Sequence, residues 1–181
     1  MSYTLVAHKL LIGSKFLITK KIISTLLLSG NRDILKRSLG IVIALLLLGY
    51  GLVRIGVGAL LLAQTLGTIN FPDLADAVAE VDVFIVARAS YQLLSFSLEG
   101  YFLYIVAMGV LLSAGAAGTI ARASWGFTTL GVYIAMHAAL FINFQEINPK
   151  LVGLLAQIVL LLILYYLMPP GKLVYTEQVP S

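Results

Sequence analysis

The sequence predicts an all-α integral membrane protein: a four-helix transmembrane bundle with an N-terminal interfacial amphipathic helix and a short extracytoplasmic helix. Three observations carry that expectation. Hydrophobic residues make up 60% of the 181-residue chain and charged residues 11%, with a mean hydropathy of +1.01, whereas a soluble domain carries about 25% charge. Four apolar segments, 39–66, 100–120, 125–144 and 151–168, approach or exceed the roughly 20 residues that cross about 30 Å of hydrocarbon. Lysine and arginine gather on one side of those segments, the bias that sets membrane orientation.

The N-terminal arm, 1–38, comes first. Its stretch 5–28 is apolar but contains His8, Lys9, Lys15, Lys20 and Lys21, which suit a helix lying among anionic headgroups better than one in hydrocarbon. A fifth span is the alternative. Its polar positions form no clean stripe, which also leaves packing against another protein's helix open. Lys15 interrupts the run and no small-residue cleavage site follows, so the arm does not read as a secretory signal and is expected to be retained. Gly30, Asn31 and Asp33 read as a turn into the first span. That span, 39–66, exceeds one crossing and should tilt, kink or protrude.

The connection 70–97 opens with Pro72, Asp73 and Asp76, a helix-start pattern. Leu74, Val78, Val81 and Ile85 then recur at three- and four-residue spacing, as the apolar face of a short helix lying along the outer surface does. The stretch 83–96 is apolar enough to run on into the second span. After 151–168 the prolines Pro169 and Pro170 open a short tail, 169–181.

Nine of the twelve basic residues fall on one side of this plan: Lys9, Lys15, Lys20, Lys21, Arg32, Lys36, Arg37, Arg122 and Lys172. The positive-inside rule places them, and both termini, in the cytoplasm. Arg88 and Lys150 fall opposite, with Asp73, Asp76, Glu80, Asp82, Glu99 and Glu146. Tyr91, Tyr101 and Phe102 fit an outer aromatic belt, and Trp125, Phe127, Tyr165 and Tyr166 an inner one. Compact loops point to a bacterial inner membrane.

Two ionisable residues lie within the spans, Arg54 and His137. Charge there is costly unless paired or hydrated, which makes both candidates for function. At 1.5 Å per residue Arg54 lies about 22 Å and His137 about 18 Å from the inner boundary, and Gln157 about 21 Å. Tyr104 falls at a similar level. These four are expected to form one polar layer, with Glu99 at the outer mouth as the nearest carboxylate to neutralise Arg54. The alternative is structural: Arg54 snorkels outward and His137 makes a helix–helix hydrogen bond. Gly109 with Ser113, and Ala114 with Gly118, are small-xxx-small pairs suited to close helix contact within the bundle or with partner subunits.

The absence of cysteine excludes disulfides, iron–sulfur clusters and cysteine-containing zinc sites. Asp73, Asp76, Glu80 and Asp82 lack calcium-loop spacing and read as a solvated acidic face. His8 lies on the wrong segment to form a bis-histidine haem site with His137. No nucleophile signature or phosphate loop occurs, so no catalytic residue, metal, cofactor, enzyme activity or nucleic-acid partner is expected. The expected partners are the lipid bilayer and other integral subunits or further copies of the chain. A non-catalytic accessory or structural subunit of a membrane complex is the leading expectation, a small transporter or channel subunit using the Arg54 layer the second, and a lipid-modifying enzyme the third.

Overall fold

The computed structural model describes residues 3–145 and 150–170, with side chains over 34–145 and 151–170. The described residues are helical and contain no sheet. In order they form α1 (Tyr3–Thr65), α2 (Pro72–Arg88), α3 (Leu98–Ile120), α4 (Trp125–Phe144) and α5 (Lys150–Leu167). The chain divides into two units, Met1–Leu39 and Gly40–Ser181. The core cluster and the hydrogen bonds joining Arg54, Tyr133 and Gln157 belong to the second unit.

The turn expected at Gly30, Asn31 and Asp33 is absent, because α1 is helical from Tyr3 to Thr65. No proline falls in that range. A glycine within a helix costs about 1 kcal/mol relative to alanine, and a helix already growing on both sides propagates through it more easily than a second helix nucleates. The interfacial or fifth-span reading of 5–28, and the placement of His8 and the arm lysines, lie outside the described side chains.

Three stretches are long and apolar enough to cross a membrane among the described residues: Ile34–Thr65, Leu98–Ile120 and Trp125–Phe144. Leu151–Leu167 is a shorter apolar helix. Apolar helices of this kind imply contact with a lipid bilayer.

The helix ends follow local chemistry. Gly67, at φ +70°, ends α1: Thr68 N–H donates to the Ala63 carbonyl at 2.9 Å and Gly67 N–H to Gln64 at 3.1 Å, the Schellman pattern that needs a left-handed residue. Pro72 opens α2, and its expected apolar face is the covered one, with Ile85 buried. Asp73, Asp76, Glu80 and Asp82 are exposed. The expected run of helix from 83 into the second span is not formed. α2 stops at Arg88, and Ser97 starts α3 afresh by accepting from Gly100 N–H at 3.1 Å.

The core is built by four helices: Ala44 from α1, Met108 and Leu112 from α3, Leu130 and Tyr133 from α4, Leu164 from α5, and Met168 just beyond it. Glycines set the closest contacts. A Cβ on Gly51 would meet Gly109 O at 3.0 Å and Ser113 N at 2.9 Å across α1 and α3. One on Gly126 would lie 2.6 Å from Thr119 N across α3 and α4. Both small-xxx-small pairs of α3 therefore supply residues to packing inside the bundle. Gly49 and Gly56, by contrast, have nothing within 4 Å of an added Cβ.

Candidate functional site

Arg54 sits on α1 one turn after Tyr50, so both project from one helix face. Its guanidinium carbon lies 5.7 Å from the Tyr50 ring centroid and 5.9 Å from that of Tyr133 on α4, within cation–π reach. Arg54 Nη1 donates to the Tyr133 hydroxyl at 3.2 Å, and Nη2 contacts Met108 Sδ at 3.9 Å. The arginine is half-buried among these groups. No carboxylate pairs with it among the described residues.

The network continues through Tyr133, which is 1% exposed. Its hydroxyl donates to Gln157 Oε1 on α5 at 3.0 Å, and His137 Nδ1, one turn along α4, meets the same oxygen at 2.8 Å. An amide oxygen accepts. His137 Nδ1 therefore carries a proton in this contact. The His137 ring stacks on Phe141, with centroids 5.7 Å apart.

Arg54, His137 and Gln157 border a cavity of about 360 Å³. Arg54 and Tyr50 contribute from α1, Phe84 from α2, Tyr101 and Ile105 from α3. α4 adds His137, Leu140, Phe141 and Phe144, and α5 adds Gly153 and Gln157. Its volume is within the range of about 300–1,000 Å³ usual for small-molecule sites.

The structure brings together Arg54, His137 and Gln157, three of the five residues singled out from sequence. Tyr104 departs: its hydroxyl donates to the Met136 carbonyl at 2.8 Å, and it does not border the cavity. Glu99 lies exposed in the first turn of α3 and forms no ion pair with Arg54. Arg54 does not snorkel along α1; it reaches across to α4. His137 does bond a neighbouring helix, and it does so from the cavity wall.

Two further residues matter that the sequence did not single out. Tyr133 joins Arg54 to Gln157, and its position four residues before His137, hence on the same helix face, is the signal that points to it. Asn143 pins the connector between α2 and α3: Leu94 N–H donates to Asn143 Oδ1 at 2.7 Å, Asn143 Nδ2 donates to Leu94 O at 3.1 Å, and Leu93 N–H donates to Asn143 O at 3.2 Å. The clamp holds the connector beside Phe144, whose ring contacts Phe84, Phe96 and Tyr101. The described residues contain no group of three or more His, Cys, Asp or Glu side chains placed to hold a metal ion.

No protein-family model matches the chain, and no curated protein or solved structure matches it. The functional reading therefore rests on the cavity.

Proposed function

We propose that this is a small four-span membrane protein that binds an anion at Arg54, as a transporter or as the pathway subunit of a channel. The observation that carries the reading is the balance of groups around the cavity. An arginine, an amide, an imidazole and two tyrosines border it, and no carboxylate does among the described residues. Arginine holds its charge at any physiological pH. A fixed charge at span depth without a partner anion is costly, and a bound anion relieves that cost.

The proposed topology places both termini in the cytoplasm of a bacterial inner membrane, with α2 outside and the cavity in the outer half of the bundle. The basic residues support that orientation. The fourth crossing is α5, whose 18 residues span about 27 Å. No catalytic step is assigned.

The test is anion flux in liposomes containing the purified full chain, with chloride, acetate, benzoate and phosphate as probes. Flux of at least one anion is expected, lost in Arg54→Ala and retained in Arg54→Lys. Flux unchanged by Arg54→Ala would sink the reading. The accessory-subunit reading stands second, supported by Gly49 and Gly56, which are seven residues apart on α1 and uncovered. Stoichiometric co-purification of a larger partner in mild detergent, with no flux, would favour it.

A further inference from the structure

Resting on the anion-site reading above, we propose that the ligand is a monocarboxylate with an aromatic body, held by Arg54 and Gln157 at its charged end and by the ring-lined wall at the other. Charge comes first. Arg54 is the one fixed cation among the described residues bordering the cavity. One negative charge is neutralised there; a second, as on phosphate near neutral pH, finds no further cation among the described lining residues, and unpaired charge away from bulk water is costly.

Hydrogen-bonding capacity agrees. A guanidinium has five N–H donors in a planar fork, and Arg54 engages Nη1 with Tyr133 and Nη2 with a weak thioether acceptor. Three donors remain, and two N–H groups side by side match the two oxygens of a carboxylate. Gln157 adds its amide N–H₂. Its Oε1 serves Tyr133 and His137, while the N–H₂ has no partner among the described residues. At Arg54 and Gln157 these donors have no acceptor among the described residues.

The remaining wall sets the shape. Phe84 meets Phe144 edge to face with centroids 5.3 Å apart, and Tyr101 meets Phe144 at an interplanar angle of 76°. Phe141 lies nearly parallel to His137, at 27°. Rings presenting both faces and edges favour a flat aromatic guest, which gains offset and edge contacts that a puckered ring does not.

Equilibrium dialysis of the detergent-solubilised full chain against labelled benzoate, cyclohexanecarboxylate, acetate and inorganic phosphate tests this. Benzoate is expected to bind at least tenfold tighter than acetate or phosphate and at least threefold tighter than cyclohexanecarboxylate. Arg54→Gln, checked for an unchanged melting temperature, should abolish binding, and Arg54→Lys should weaken it while keeping the ranking. If cyclohexanecarboxylate equals benzoate, the aromatic preference is wrong; if phosphate binds best, the single-charge argument is wrong. Either result leaves the anion site standing. If none of the four binds, or Arg54→Gln binds as the parent does, the anion site falls with it.

Discussion

Asn143 shows how one side chain organises the rim of the cavity. It is 7% exposed and uses its amide oxygen and nitrogen on the backbone N–H and C=O of Leu94, in the manner of a paired strand. Asn143→Ala leaves both Leu94 groups without those partners, and each unsatisfied buried group costs about 1–3 kcal/mol. The expected loss is about 2 kcal/mol overall, since the exposed connector admits some water. Thermal unfolding in detergent should show the loss, and limited proteolysis should cut first within 89–97. Uncut connector and an unchanged melting temperature would show that the clamp is dispensable. Arg54, His137 and Gln157 were legible in the sequence because a polar residue in an apolar span announces itself and depth follows from counting. Asn143 was not, since its partner lies 49 residues away. Tyr104 and Glu99 were misplaced because depth fixes a level but not the side of the helix from which a residue projects.

At the scale of elements, α3 and α4 were legible almost to the residue. Their ends coincide with polar or small residues, and the expected 100–120 and 125–144 sit against the observed Leu98–Ile120 and Trp125–Phe144. α1 was not legible as one helix, because Gly30 and Asn31 are turn residues by composition and only mild perturbations inside a long helix. Glycine roles were also hidden, since packing decides them. Gly126 faces backbone: an added Cβ would meet Thr119 N at 2.6 Å and Gly118 C at 2.7 Å. Backbone yields less than side-chain tips, so Gly126→Ala should part α3 from α4 and cost about 1–3 kcal/mol, the usual range for overpacking. Gly49→Ala meets open space and should be neutral or stabilising by up to about 1 kcal/mol from helix propensity. Melting temperatures of the pair, measured in one detergent, check the contrast. Equal effects would remove the close-approach account of the α3–α4 contact.

For the whole molecule, the number of crossings decides whether the cavity opens to one side of the membrane or the other. α5 is the helix in question, being the shortest of the apolar four. Its register argues that it crosses. Near its start Gln157 stands level with Arg54 through Tyr133, while at its far end a Cβ on Gly40 would meet the Met168 side chain. Gly40 lies 14 positions before Arg54, about 21 Å along α1. Met168 lies 11 positions after Gln157, about 17 Å at the same rise. The two helices thus run antiparallel over about 17 Å, and Gly153 extends α5 beyond the Arg54 level on the cavity wall. The chain has no cysteine, so single cysteines can report sidedness without background. With a membrane-impermeant maleimide added to intact cells, Thr68→Cys and Asp76→Cys should label, whereas Ser124→Cys and Pro169→Cys should label only after permeabilisation. If Pro169→Cys labels together with Thr68→Cys, α5 does not cross and its end returns to the α2 side. That result is incompatible with Met168 packing beside Gly40, so it would overturn the four-helix core as well as the topology.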